Sequence, residues 1–264
     1  MQPLLHIAIN AARLAGDIIQ RNVETLDRLN IQQKGLNDFF SEVDIKAEEA
    51  IIKTIHKAYP HHGIIAEESG IQNPDAEFVW IIDPLDGTTN YLHGFPFYSV
   101  SIALRIKNRI EHGVVYDPVR YECFSATRGC GARLNDRRIR VSKETKLISA
   151  LLGTGFPTRD PALVKRYLPT FEAMFDKCAG MRRTGSAALD LAYVAAGRLD
   201  GFWQFGLKPW DMAAASLIIQ EAGGLIGDTR GGENFLQDGN IVAGTPKVFK
   251  SLLQTISAFD TAAN

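Results

Sequence analysis

A wholly apolar run, Phe78-Val79-Trp80-Ile81-Ile82, passes without a break into Asp83-Pro84-Leu85-Asp86-Gly87-Thr88-Thr89-Asn90. Such a run has no solvent face and predicts a buried strand of the kind found in covered sheets. Asp83 then stands at the carboxyl end of the strand, where open sheets place their ligand sites. Pro84 is expected to give a sharp exit. A turn reaching Asp86 three residues on can aim both carboxylates at one centre and expose the Leu85 carbonyl between them. Gly87 removes a side chain where the backbone must come close to something. Thr88 and Thr89 are expected to open a helix, whose free N–H groups suit a phosphate. Hard cations such as Mg²⁺ take oxygen ligands at roughly 2.0–2.1 Å and are commonly shared with phosphate. The bland alternative for Asp83 and Asp86 is an Asx-type turn with solvated acids.

Two further acidic sites bear on that choice. Ile64-Ile65-Ala66-Glu67-Glu68-Ser69-Gly70 sets adjacent acids directly after a strand-like run, and Trp210-Asp211-Met212-Ala213-Ala214-Ala215 sets an acid at a helix start before small residues. Alone, Glu67 and Glu68 read as loop charges and Asp211 as an N-cap. Jointly, acids beside apolar segments need a counter-charge if they are partly buried.

The rest of the chain is that of an ordinary globular enzyme. Its 264 residues suit one large domain, or two halves (1–145 and 146–264) packed together, with 45% hydrophobic and 22% charged residues. Twenty-nine basic residues against 30 acidic ones leave a formal charge of −1, which offers no general attraction to nucleic acid or an anionic membrane. Cys123, Cys130 and Cys178 are too few and too scattered for a disulfide framework or a thiolate metal site. Met1 to His6 lacks the pattern of a secretion signal, and no apolar run approaches a membrane span, so the expected location is the cytoplasm.

Helical periodicity puts Leu4, Ile7, Ala8, Ala11, Leu14, Ala15, Ile18 and Ile19 on one face of a first helix. A second helix is expected from Asp44 to Tyr59, stopped by Pro60. Ser99–Ile106, Ile110–Tyr116 and Tyr121–Ala126 predict an antiparallel meander turned at Asn108-Arg109 and Asp117-Pro118. Beyond a strand at Ala150–Thr154, helices near 162–177, 186–196, 211–222 and 246–257 alternate with strands at Gly201–Phe205, Leu225–Gly227 and Asn240–Ala243. Gly223-Gly224 has the form of a helix C-cap. The pattern is that of an α+β or layered α/β chain.

Glu67-Glu68-Ser69, Trp80 through Asn90, Gly185-Ser186-Ala187-Ala188, Trp210-Asp211-Met212-Ala213-Ala214 and Gly223-Gly224 occur together in this order. In these motifs the chain resembles the inositol monophosphatase family, in particular its bacterial branch, within the lithium-sensitive, metal-dependent phosphatase superfamily. The resemblance implies a five-layer αβαβα sandwich of the inositol monophosphatase and fructose-1,6-bisphosphatase type, usually a homodimer. It implies two to three Mg²⁺ ions: one on Glu67, Asp83 and the Leu85 carbonyl, a second on Asp83, Asp86 and Asp211, and a weaker third placed by Glu67 through waters. Asp44 and Thr88 match the pair that orients the attacking water, and Gly87 and Thr88 match backbone donors to the phosphate. Lys34 matches a lysine on the N-terminal loop, and Ala187, Gln204 and Asp211 match positions around the substrate; Arg183 is a further position for the leaving group, although Arg182-Arg183 read first as interface or surface charges, and Glu68 adjoins the metal ligand. The implied reaction is hydrolysis of inositol monophosphate, or a related polyol or sugar phosphate, by direct attack of water.

Gln204 is a departure, since the family commonly has glutamate there, and glutamine both accepts and donates without charge. Ala215 stands where glycine is frequent and is small enough to be harmless. Sister activities on fructose bisphosphate or a nucleotide 3′-phosphate would use the same metal core. Some bacterial members are associated instead with RNA or the transcription machinery. A basic stretch from Arg128 to Lys143, holding Arg133, Arg137, Arg138 and Arg140 against the single acid Asp136, would be the contact surface for such a partner, or else a solvated hairpin. His61-His62 and His93 read as solvated histidines rather than ligands.

Overall fold

The computed structural model describes residues 2–24, 31–35, 38–157 and 160–259, with the side chains of 31–35 and 38–40 outside the described set. In chain order the first half comprises α1 (Pro3–Asn22), β1 (Ile31–Gly35), β2 (Asp38–Ser41), α2 (Glu42–Ala58), β3 (Gly63–Ala66), β4 (Gly70–Gln72), β5 (Phe78–Asp86), α3 (Thr88–Leu92), β6 (Ser99–Ile106), β7 (Arg109–Asp117), β8 (Glu122–Thr127), β9 (Ala132–Leu134) and β10 (Arg137–Arg138). The second half comprises β11 (Leu151–Thr154), α4 (Pro161–Glu172), β12 (Gly180–Arg182), α5 (Ala187–Ala195), β13 (Gly201–Gln204), α6 (Pro209–Glu221), β14 (Leu225–Gly227), α7 (Phe235–Asp238), β15 (Ile241–Gly244) and α8 (Pro246–Ser257).

The strands form two large sheets and the β1–β2 hairpin. One sheet has eight strands in the order β10-β9-β8-β7-β6-β5-β3-β4, and the other has five in the order β12-β11-β13-β15-β14. The meander β6-β7-β8 is antiparallel, as its turn residues require. Its first turn falls on Lys107-Asn108, one residue before the expected place, with Lys107 at φ 56. The apolar run on β5 is buried between parallel β3 and antiparallel β6, with Val79, Trp80, Ile81 and Ile82 all inaccessible or nearly so.

Helices α1 and α2 cover one face of the large sheet. Helices α5 and α6 lie between the two sheets, and their apolar side chains merge with Ile81, Val115 and Phe124 on one side and Phe202, Ile241 and Ala243 on the other. Helices α4 and α8 close the outer face of the smaller sheet through Tyr167, Trp203, Val242, Val248 and Leu252. The result is the five-layer αβαβα sandwich. An all-round apolar α6 follows from its central place, since a helix between two sheets has no wet face.

Two local expectations need correction. The buried face of α1 runs through Leu5, Ala8, Ala12, Ala15 and Ile19, while Leu14 is left 45% exposed. The stripe centres on small residues because α1 lies close on the sheet: a Cβ on Gly16 would come within 2.5 Å of the Tyr116 ring. Helix α4 ends at Glu172 rather than 177, with Pro169 inside it. No described helix is long and apolar enough to cross a membrane. All three cysteines are free.

Candidate functional site

A cavity of about 410 Å³ opens where the carboxyl end of β5 meets the ends of β11 and β13 and the first turns of α3, α5 and α6. Glu67, Asp83, Leu85, Asp86, Gly87, Thr88, Arg183, Ala187, Gln204 and Asp211, all marked in the sequence, line it.

Asp83 and Asp86 reach one centre by a β-bulge. Asp83 faces Ser101 and Asp86 faces Ser99, so three steps along β5 match two along β6. In a regular strand, residues three apart point to opposite faces. The extra residue restores a common direction. Pro84 therefore does not take the chain sharply out of the sheet; the strand continues through it to Asp86, and the bulge accommodates its missing N–H. Asp211 comes from the third position of α6, with one carboxylate oxygen accepting from the Lys208 amide at 2.7 Å. Ligand atoms of Asp83, Asp86 and Asp211 all lie within 4.8 Å of one another.

Burial, reinforced by the charges of Glu67, Asp86 and Asp211, raises the Asp83 pKa well above the ordinary carboxylate range. Burial and the neighbouring Asp211 push Asp86 to about 7, although Ser186 Oγ and the Ala188 amide donate to its Oδ2 at 2.5 and 2.8 Å. Among the described residues no lysine or arginine forms an ion pair with Asp83 or Asp86. Buried carboxylates crowded in this way need a cation, and an all-oxygen donor set suits a hard divalent one. The cluster therefore fits a bound metal.

Gly87 has φ +98, and a Cβ there would meet the Phe97 carbonyl at 3.1 Å. It caps α3, whose first residue, Thr88, directs its hydroxyl at the Leu85 carbonyl (3.0 Å) and Asp44 Oδ1 (3.2 Å). Asp44 lies behind the cavity rather than on its wall. Its Oδ2 accepts from the Ser41 amide and hydroxyl at 2.8 and 2.7 Å, closing a capping box at the start of α2. Burial raises its pKa against those donors.

Glu68 does not reach the cavity and borders a groove along α2 with Ile45 and Ile52. The Lys34 side chain lies outside the described residues, although its backbone belongs to β1. His62 is not a solvated loop histidine: it stacks between Tyr59 and Phe78 and accepts from Trp80 Nε1 at 3.0 Å.

Two acids went unmarked in the sequence. Glu48 is 2% exposed, and its two oxygens accept from the Glu68 and Ser69 amides at 2.8 and 2.7 Å, which ties the loop carrying Glu67 to α2. Asp190 is 1% exposed on the cavity wall, and burial together with the Asp86 charge pushes it up to about 8. Its signal was legible: a single acid inside the apolar run Ala187-Ala188-Leu189-Asp190-Leu191-Ala192 must be buried with the rest.

Known proteins are similar throughout. A family model described as the inositol monophosphatase family matches residues 1–260. Nus factor SuhB of Pseudomonas aeruginosa is 53% identical over 261 residues, covering 97% of this chain and 96% of its own. Among solved structures, the extragenic suppressor protein suhB of Bartonella henselae superposes with a TM-score of 0.93 at 42% identity, covering 97% of this chain and 98% of its own. Inositol monophosphatase from Anabaena superposes with a TM-score of 0.84 at 36% identity, covering 97% and 95%.

Proposed function

The chain belongs to the inositol monophosphatase family, and from that premise we propose that it is a Mg²⁺-dependent phosphomonoesterase that hydrolyses inositol monophosphate or a related polyol or sugar phosphate. The observation that carries this reading is the convergence of the Asp83, Asp86 and Asp211 carboxylates on a centre beside the first turn of α3. Asp83, Asp86, Asp211, Glu67 and the Leu85 carbonyl would hold the metal ions, two or three in number. Bound there, Mg²⁺ would neutralise phosphate charge and make water a better nucleophile at neutral pH.

The protein's own groups supply the rest. The Gly87 and Thr88 amides offer hydrogen bonds to phosphate oxygens at the start of α3. Thr88 Oγ1 can turn its hydrogen to Asp44 and leave its lone pairs to orient a water, whose proton then has a path through Thr88 to Asp44 Oδ1. No side-chain nucleophile is required, so attack is direct and in line, and retention of configuration at a chiral phosphate would refute it. Ala187, Gln204 and Arg183, which line the same cavity, would meet the leaving group.

The test is phosphate release from inositol monophosphates, glycerol phosphate, fructose bisphosphate and a nucleotide bisphosphate, with Mg²⁺ and with chelator. Release that needs the metal and favours inositol esters supports the reading; preference for another ester keeps the mechanism and changes the substrate. No release from any ester, with Mg²⁺ bound, would overturn it.

A second reading is favoured by the name Nus factor carried by relatives 53% identical to this chain: a role as a partner of the transcription machinery. The exposed arginines of the β9–β10 hairpin, held to α6 by Glu221 hydrogen bonds to the Gly129 and Gly131 amides, would be a contact surface. Asp86→Asn separates the two readings if phosphate release is lost while binding to the transcription machinery persists.

A further inference from the structure

Ser186 stands at the N-cap of α5 with φ −130, where a serine hydroxyl ordinarily accepts from the second or third amide of its helix. Here it completes no capping bond. The second amide of α5, that of Ala188, donates instead to Asp86 Oδ2 at 2.8 Å, across 102 positions of chain. Asp86 has taken over the accepting role at this helix start, which releases the Ser186 hydroxyl to act as a donor. It donates to the same Oδ2 at 2.5 Å. Ser99 Oγ lies 3.3 Å from Ser186 Oγ. An ionised carboxylate cannot donate, so with Asp86 charged the hydrogens run from Ser99 to Ser186 to Asp86. Ser99 and Ser186 are buried, so little water competes for these bonds.

A carboxylate offers about four acceptor sites, two on each oxygen. Ser186 and Ala188 fill both sites of Asp86 Oδ2, which leaves Oδ1 as the oxygen open to a cation. The neighbouring carboxylates are tied in the same sense. Asp83 accepts the Leu85 amide through Oδ1 at 3.0 Å, and Asp211 accepts the Lys208 amide through Oδ2 at 2.7 Å. Each acid of the cluster thus has one oxygen engaged by the protein, and on Asp86 that oxygen is saturated. This bears on which hard cation fits. Mg²⁺ keeps near-octahedral geometry with single oxygens at about 2.0–2.1 Å, whereas Ca²⁺ takes about six to eight oxygens at about 2.3–2.6 Å and readily uses both oxygens of one carboxylate.

We propose that Ser186 is a positioning residue that sets the cation preference of this site. By filling the second acceptor site of Asp86 Oδ2, its hydroxyl holds Asp86 to one metal-binding oxygen and so favours Mg²⁺ over Ca²⁺. The inference rests on the phosphatase reading for the assignment of the metal ligands.

The test is calorimetric titration of the full chain with Mg²⁺ and with Ca²⁺ after chelator treatment, for the ion whose binding Asp86→Asn removes. The quantity read is the ratio of the two dissociation constants. Ser186→Ala is expected to move that ratio towards Ca²⁺ by about tenfold, while Ser186→Thr, which keeps the hydroxyl, stays within about twofold of the wild type. Ser186→Gly deletes the hydroxyl but keeps a residue tolerated at an N-cap, and guards against failure of the alanine variant to fold. A merely structural serine would weaken both ions alike, or lower only the melting temperature, and leave the ratio where it was. An unchanged ratio in folded Ser186→Ala or Ser186→Gly, an equal shift in Ser186→Thr, or no binding of either ion by the wild type would overturn the inference. Phosphate release measured alongside keeps the two readings apart. No release with the Ser186-dependent ratio intact defeats the phosphatase alone, and release with an unchanged ratio defeats the role of Ser186 alone.

Discussion

At the scale of the residue, the site is a set of carboxylates held where water cannot fully solvate them. Asp83 is 1% exposed and accepts from the Leu85 amide at 3.0 Å while facing the charges of Glu67, Asp86 and Asp211, so its charge depends on a cation. Asp83→Asn should cut Mg²⁺-dependent phosphate release by more than about a hundredfold, while the circular dichroism spectrum stays unchanged. Glu48 acts one step back. Removing it leaves the Glu68 and Ser69 amides without acceptors, a cost of about 1–3 kcal/mol. Glu48→Ala is therefore expected to lower stability by that amount in urea titration. It should also weaken Mg²⁺ binding about ten- to a hundredfold in calorimetry, as loss of an outer support typically does.

Secondary-structure elements act here through close approach. Helix α6 brings Asp211 to the cluster only because it lies directly on β7, where a Cβ on Gly113 would sit 2.5 Å from the Ala214 carbonyl. Ala213, Ala214 and Ala215 are fully buried along that contact. Gly113→Val should force the helix away, costing about 1–3 kcal/mol in chemical denaturation and reducing Mg²⁺ affinity, although residue 113 touches no ligand. The far end of α6 is closed by a Schellman cap: the Gly224 amide donates to the Ile219 carbonyl at 2.9 Å and the Gly223 amide to Gln220 at 3.0 Å, with Gly223 at φ +86. Gly223→Ala is expected to lower stability by about 1 kcal/mol with metal affinity unaffected, because the cap lies at the opposite end from Asp211.

Across the whole molecule, the layers bring acids from β5, α5 and α6 together, and their common burial links folding to pH. In the metal-free protein Asp86 titrates at about 7 and Asp190 at about 8, against 3.8 for an ordinary aspartate. Between those limits the native state holds protons that the unfolded chain has released, so stability is greatest at low pH within this window and falls as pH rises. In chelator, the melting temperature should therefore decline from about pH 5 to about pH 8. On the proposed function Mg²⁺ would bind the deprotonated ligands, so its addition should raise the melting temperature more at pH 8 than at pH 5. An apo melting temperature that rises over the same interval would contradict this account.

The sequence by itself determined the apolar strand that delivers Asp83, the capped helices, the meander and the acids of the carboxylate cluster, because each is written in local periodicity or in a contiguous motif. Tertiary structure alone decided how those pieces meet. A bulge, visible only when β5 is paired with β6, turns Asp83 and Asp86 the same way where a turn was expected. The centre of the α1 face shifted for a similar reason: the distance between helix and sheet selects alanines over the larger residues that periodicity marks. Glu48 could not be singled out, since its partners lie 20 and 21 residues away and are backbone amides without a side-chain signature. Asp190 carried a signal in its apolar neighbours, but its place beside Asp86 follows from the seating of α5 on the end of β5, where the Ala188 amide donates to Asp86. Local sequence encodes which groups can do chemistry; their shared direction and burial arise only when separate elements pack, and packing depends on residues far apart in the chain.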